Sequence, residues 1–314
     1  MKSLFVIAIA FCFFIGFSNA QDEPSAVTYV TFAFDDSFRS GLDMLQYLEN
    51  GWNATFYVSP ARLGLHPAYL EWKDVHRLYK TGHEIGCHGF SHEKSFDLDR
   101  RSLVNQFCLC RAMLRRFGPP TSIAYPHGQV NDTIIDIGRH CKFCNGRGVG
   151  SELQFAPPDN VWNFKGYSIR REDTCSDLEI MLEDIILSNP VDKRDTPKWV
   201  VFNFHVMCEE KGDSCYNRYP FSITRSTYEC LVNQISLYSR QGFVQVRNVR
   251  ELLHLEPNQR ALELEGSFSS VDLPSDFQFD PDDGTQSSAG TRLRSITEIT
   301  FGSIALILVF LIVV

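Results

Sequence analysis

The sequence predicts an α/β fold, a distorted (β/α) barrel of about seven parallel strands in a single domain. Two observations lead there. From Val27 onward, short runs rich in β-branched and aromatic residues alternate with stretches that are amphipathic at helical spacing, and repeated strand–helix units imply a parallel sheet. About seven such units fill roughly 230 residues, which suits a closed barrel better than an open sheet. No internal repeat, G-x-G-x-x-G or Walker sequence is present.

The first strand is Tyr29–Phe34, and it stops at two adjacent carboxylates, Asp35 and Asp36. Gly41–Asn50 reads as a helix with Leu42, Leu45 and Leu48 on one side. "ATFYVSP" is a second strand ending at Pro60. Tyr69, Trp72, Val75 and Leu78–Tyr79 then recur at helical spacing until Gly82 stops the run. "HEIGCHG" is a third strand, and Asp99–Phe117 a long helix ended by Gly118-Pro119-Pro120. "TSIAYP" is the fourth strand, followed by a helix over Asn131–His140. Shorter strands fall near Gly146–Val149 and Tyr167–Arg171, and Ser176–Ser188 is helical. "KWVVFNFHVM" is a strongly apolar strand, Thr224–Gln241 a helix, Phe243–Val246 a last strand, and Val249–Leu255 a short closing helix.

The two ends carry signals of another kind. Residues 1–20 have one lysine, an apolar run and a Ser-Asn-Ala end, the pattern of a secretory signal peptide. Residues 256–290 form an acidic stretch of low order that finishes in Ser287, Ser288, Ala289 and Gly290. A polar spacer within residues 291–314 leads to the apolar run Phe301–Val314, shorter than the roughly 17–25 residues a spanning helix needs. Small residues, spacer and terminal apolar tail match a glycosylphosphatidylinositol attachment signal, with a single-pass helix as the alternative. The expected location is the extracellular face of the cell membrane.

Cysteine usage agrees with an oxidising compartment. Of ten cysteines, Cys12 leaves with the leader, and the odd remainder predicts disulfides plus one free thiol. Cys87, on a buried strand beside a histidine pair, is the expected free one, and Cys141-x-x-Cys144 reads as structural. Two acceptor sequons, Asn53-Ala54-Thr55 and Asn131-Asp132-Thr133, suit the same route. The net charge of −8, with no basic stripe, excludes a nucleic-acid partner.

Chemistry gathers at strand ends. Adjacent residues of an extended strand point to opposite sides, so Asp35 and Asp36 cannot both turn harmlessly to solvent. Carboxyl ends of parallel strands are where α/β proteins keep their sites. Beyond the third strand, His88 and His92 lie three residues apart in a Gly-flanked turn, and with one carboxylate they would make a facial His-His-Asp metal site. "AYPHG", Ala124–Gly128, is a turn that brings backbone to the barrel mouth. His205 ends the apolar strand "WVVFNF" and needs a polar reason to be there.

In this order and spacing, "TFAFDDSF", "GHEIGCHGFSH", "AYPHG" and "WVVFNFH" resemble the motifs of the polysaccharide deacetylases, the NodB-homology domain of carbohydrate esterase family 4, chitin deacetylases among them. The resemblance covers Val27–Leu255 and implies a hydrolase of amide bonds in an acetylated polysaccharide. It implies Asp35 as general base and His205 as general acid. Asp36, His88 and His92 would hold a divalent metal, usually Zn²⁺. Tyr125, Pro126 and His127 would shape the substrate groove, with a backbone N–H for the oxyanion. Many members place an arginine where this chain has Ala124, and Arg170 or Arg171 is the expected replacement partner of Asp35. Trp162 is the candidate for the family's remaining tryptophan-containing motif. A catalytically silent carbohydrate-binding surface protein and an O-acetyl esterase are the competing readings.

Overall fold

Alternation along the strands sorts the side chains into two compartments, and the chain closes around one of them. The computed structural model describes residues 27–188 and 195–253; the leader, the acidic stretch and the anchor signal lie outside the described residues. The strands are β1 (Thr28–Phe34), β2 (Thr55–Val58), β3 (Glu84–Cys87), β4 (Ser122–Ala124), β5 (Asn145–Val149), β6 (Gln154–Phe155), β7 (Phe164–Ser168), β8 (Lys198–Phe204), β9 (Val206–Cys208), β10 (Ser222–Thr224) and β11 (Val244–Val246). Parallel pairing runs β1-β2-β3-β4-β5-β7-β8 and returns from β8 to β1, giving the closed seven-stranded barrel. The closing pair is in register along its whole length, from Thr28 opposite Lys198 to Phe34 opposite Phe204.

On β1, Phe32 and Phe34 point outward into a large core shared with Phe56 and Val58 of β2, Ile123 of β4, Phe202 and Phe204 of β8, and the surrounding helices. The opposite parity points into the barrel, where Ala33, Tyr57, Ala124, Phe164, Trp199 and Val201 form a smaller cluster. Phe164 stacks on Trp199 at 4.8 Å, and the Trp199 indole N–H donates to Thr31 Oγ1 at 2.9 Å, which satisfies the buried indole. Val249 and Leu252 of the closing helix (Val249–Leu252) join this inner cluster. With the strand interior filled, chemistry is confined to the carboxyl ends.

The helices are α1 (Ser40–Leu45), α2 (Trp72–Lys80), α3 (Arg100–Val104), α4 (Cys110–Leu114), α5 (Asp132–His140), α6 (Cys175–Leu187), α7 (Ser214–Arg218), α8 (Arg225–Arg240) and α9 (Val249–Leu252), of which α7 was not expected from the sequence. The helix expected over Gly41–Asn50 is regular only to Leu45; Tyr47 and Leu48 continue through tight bonds to Met44 and Leu45. The long helix expected over Asp99–Phe117 contains one wide π turn, Asn105–Leu109, between α3 and α4. Sequence periodicity did not reveal β6, which adds antiparallel to β8, nor the β9–β10 pair. No described helix is long and apolar enough to cross a membrane.

The cysteine expectation is corrected. Cys87 is joined to Cys110, Cys108 to Cys141, Cys175 to Cys230 and Cys208 to Cys215, while the free thiol is the exposed Cys144. Cys87 is buried as expected, but its parity on β3 turns it outward onto α4, where Cys110 meets it. Alkylation of the native oxidised protein should therefore label Cys144 and leave Cys87 unmodified. Cys87→Ser should lower stability by roughly 3 kcal/mol, the loop-closure value for a crosslink of this span, as read from urea unfolding.

Candidate active site

The inward parity that fills the barrel continues past the strand ends, and it delivers Asp35, His88 and His205 to one mouth. Asp35 is 3% exposed, with its backbone N–H on the Phe204 carbonyl across the closing pair. Just beyond it the chain turns sharply, with Asp36 and Ser37 both at left-handed φ, 66° and 61°. Strain of this kind persists where surroundings over-determine it. Here the Ser59 N–H donates to Ser37 Oγ and the Leu70 N–H to the Ser37 carbonyl. The turn lets two neighbouring carboxylates face the same mouth.

The Asp36 carboxylate sits against two imidazoles. Its Oδ1 lies 3.3 Å from His88 Nε2 and 2.9 Å from His92 Nε2, and the rings are 4.7 Å apart. His88 follows the outward Cys87 and so returns inward; its backbone N–H donates to Val58, and its carbonyl accepts from Ser59. Gln106, in the wide turn of the long helix, accepts from the Ser91 N–H and donates to the Ser91 hydroxyl, which holds the loop between the two histidines. His92 takes a left-handed φ of 64°.

These three residues fit a divalent metal. His88 Nδ1 faces the Ala124 carbonyl at 2.8 Å; a carbonyl only accepts, so Nδ1 carries the proton and Nε2 offers its lone pair. That lone pair meets Asp36 Oδ1, a buried oxygen of a carboxylate held well below its ordinary pKa. Two acceptors facing each other call for a cation between them. Donors about 2.0–2.1 Å from one tetrahedral zinc would lie about 3.3 Å apart, the scale seen here. Cys208, Asp213 and Cys215 also cluster, but both sulfurs are spent in a disulfide.

One contact opposes the fit. Arg62 places NH2 3.0 Å from His92 Nδ1 and NH1 3.3 Å from Asp36 Oδ2, with its guanidinium over the Tyr69 ring. A guanidinium only donates, so Nδ1 of His92 accepts in this arrangement and its proton resides on Nε2. Metal on Nε2 therefore requires Arg62 to turn away. Arg62 was not singled out in the sequence; one arginine in a loop has no signature.

The partner of Asp35 is neither Arg170 nor Arg171. Arg171 bonds Glu172 and the Asn217 carbonyl, and the Arg170 backbone N–H bonds Asp173, in the turn that follows the carboxyl end of β7. The cation is Arg147 on β5, with NH2 2.5 Å from Asp35 Oδ2 and both side chains almost fully buried. Its Cα is the register partner of Ala124 on β4, so the guanidinium enters from the neighbouring strand at the same height. It lies over the Tyr57 ring, 5.1 Å from the centroid. Gly146 and Gly148 flank it on the outward parity; a Cβ on Gly146 would fall 2.2 Å from the Tyr125 hydroxyl. An arginine set between two glycines, Gly146 and Gly148, was the available signal.

The expected groove residues divide. The Tyr125 side chain has outward parity, is fully buried and donates its hydroxyl hydrogen to the Trp162 carbonyl, while its N–H is used by Arg147. It cannot touch a substrate at the mouth. Pro126 is buried, within reach of Gly89. His127 is exposed at φ 57°, with its ring 4.4 Å from that of His92. Trp162 packs outside the barrel against Gly138 and Arg139 rather than in the site.

Electrostatics separates the two acids. Burial alone would raise the pKa of Asp35, but Arg147, with His88 and His205, holds it below the ordinary carboxylate value. Burial likewise opposes ionisation of Asp36, and its contacts with His88 and His92 outweigh it by a wide margin. Burial drives His92 down to about 4, against the pull of Asp36. His205 Nε2 lies 3.8 Å from Asp35 Oδ2, and burial lowers its pKa although Asp35 pulls it up. The arrangement offers an ionised base, a three-ligand metal site and a neighbouring imidazole, enough for metal-assisted hydrolysis of an acyl group.

Arg147→Met should destabilise the protein by about 3–5 kcal/mol, because it leaves a buried charge uncompensated. Since Asp35 then loses the cation that holds it ionised, the acid limb of any activity it serves as base should move to higher pH. The double variant Ala124→Arg/Arg147→Ala should recover part of both losses. Arg62→Ala should bind a divalent metal more tightly, on the order of tenfold, in calorimetry at fixed pH.

Residues 19–145 match the family model for polysaccharide deacetylase. No curated protein matches the chain at a significant level. Among solved structures, the chain is similar to the Streptococcus pyogenes deacetylase PplD in complex with acetate, at 18% identity and TM-score 0.41, covering 44% of this chain and 62% of that one. It is similar to the peptidoglycan deacetylase PdaC from Bacillus subtilis, at 17% identity and TM-score 0.43, covering 77% and 98%. It is also similar to a CE4 family pseudoenzyme from Bacillus anthracis, at 16% identity and TM-score 0.43, covering 72% and 66%. The segment matched to the polysaccharide deacetylase model is the one that carries Asp35, Asp36, His88, His92 and the "AYPHG" turn.

Proposed function

We propose that the protein is a divalent-metal-dependent hydrolase that removes acetyl groups from an N-acetylated polysaccharide, a chitin-like or other N-acetylglucosamine polymer, at the extracellular face of a cell membrane. The observation that carries this reading is the convergence of Asp36, His88 and His92 beside an Asp35 clamped by Arg147, with His205 3.8 Å away.

When bound, a divalent metal, zinc by this donor set, supplies Lewis-acid polarisation and acidifies water towards a pKa of about 7. The chain's own groups do the rest. Asp35 is held ionised by Arg147 through Oδ2, while its Oδ1 is buried without a hydrogen-bond partner and so can accept the proton of an attacking water. The His127 turn lies against His92, where its backbone N–H is the candidate donor to the developing oxyanion. His205, protonated, gives a proton to the departing amine, without which the C–N bond does not break. The products are acetate and a free amine on the sugar. Phe38 stacks on Tyr69 and meets Tyr219 edge-on, adding aromatic surface near Arg62 that suits a sugar ring. The sequence signals for a leader and a lipid-type anchor support the membrane location.

A second reading, a catalytically silent glycan-binding surface protein, is favoured by Arg62, whose hydrogen bond keeps the His92 proton on the nitrogen a metal would need. Acetate release from N- and O-acetylated glycans, with and without chelator, separates the readings. The enzyme should release acetate only with metal, and Asp36→Ala should abolish release. His205→Ala should lose roughly 10²–10⁴-fold. Because burial holds His205 low and the acid form is the active one, release should decline as pH rises through a value below the ordinary histidine pKa. Metal-loaded protein that releases nothing from any glycan sinks the enzymatic reading.

A further inference from the structure

We propose that Asn131 carries an N-linked glycan whose first sugar seats against Phe96 and braces the loop that follows His92. The proposal rests on the secretory reading above and concerns a surface the catalytic reading does not use. Phe96, Leu98, Arg100, Asn131 and Thr133 line one shallow, open groove of about 180 Å³, too small to bury a whole ligand but able to take one face of a single sugar. The sequon thus contributes both its asparagine and its threonine to the wall.

Phe96 is 57% exposed at the rim of this groove, with its ring in water. The apolar face of a pyranose would take that ring out of water. Asn131 is exposed and caps α5 through Oδ1, which accepts the Ile134 N–H. Glycans attach at Nδ2, so the modification keeps the cap. In the attachment, Nδ2 loses one proton and bonds C1 of a lipid-pyrophosphate-linked oligosaccharide. The C1–O bond breaks, and its electron pair leaves with the pyrophosphate. The second sequon differs: Asn53 is half-buried at the amino end of β2, and the Thr55 hydroxyl is buried, donating to Glu84 and accepting the Val249 N–H.

The groove lies where two site loops join. The Phe96 N–H donates to Gln129 Oε1 at 2.9 Å, linking the segment after His92 to the segment after His127. A sugar fixed between Asn131 and Phe96 would tie α5 to that junction.

The test uses the full chain secreted from eukaryotic cells, with glycopeptide mass spectrometry, disulfide mapping and hydrogen exchange over residues 93–98. Asn131 should be occupied, and exchange over 93–98 should be roughly threefold faster in Thr133→Ala, which removes the sequon but keeps the Asn131 cap. Phe96→Ala should keep the glycan and show the same acceleration. Enzymatic trimming to a single sugar should preserve protection, and Asn53→Gln should leave it unchanged. A secreted, disulfide-bonded chain bare at Asn131, or an occupied one whose exchange ignores Thr133→Ala, overturns the proposal alone. A retained chain with reduced cysteines and both sequons bare overturns the secretory reading and the proposal together.

Discussion

The site depends on one buried ion pair. Asp35 and Arg147 are each nearly inaccessible to water, and each would be costly there without the other. The pair joins β1 to β5 across the barrel interior and stands on the Tyr57 ring of β2, so three strands share it. It also fixes the charge state of the mouth, because the cation that offsets the burial of Asp35 leaves its second oxygen uncommitted. His205 stands beside a carboxylate that has already been made ionic, while His88 and His92 flank its neighbour Asp36.

Relocation of that cation follows from barrel geometry. Neighbouring parallel strands present side chains at the same height, so a group can move from one strand to the next and still reach the same target. Ala124 and Arg147 are register partners, and the small side chain on β4 leaves room for the long one on β5. β4 retains a share in the site through its backbone, since the Ala124 carbonyl fixes the tautomer of His88. That role belongs to the main chain and survives any side chain at this position.

Most of the barrel was legible because its strands are apolar, short and separated by helices with clear stops. Asp35, Asp36, His88, His92 and His205 were legible because polar residues at apolar strand ends are conspicuous. What escaped was whatever depends on parity or on long-range register. Cys87 was placed on the right strand but its outward turn to Cys110 was not read, and Tyr125 was assigned to the groove although its side chain faces the outer core, since a strand of three or four residues gives little alternation to read. Arg147 was missed because its partner lies 112 positions away, and that distance closes only when the barrel does. The expected signal peptide, stalk and anchor signal lie outside the described residues.

The closing seam between β1 and β8 sets an order of events during synthesis. Thr28 pairs with Lys198 and Phe34 with Phe204, so the first strand of the barrel waits for nearly the last. Until β8 emerges, β1 has an open edge and Asp35 lacks the Phe204 carbonyl behind it. Long-range parallel pairing is slow and exposes such edges to misassembly. Of the four disulfides, the Cys87–Cys110 and Cys108–Cys141 pairs lie entirely upstream of β8 and can form before the seam closes. An oxidising compartment would thus hold the His88 side of the barrel together while the Asp35 side still awaits its last strand.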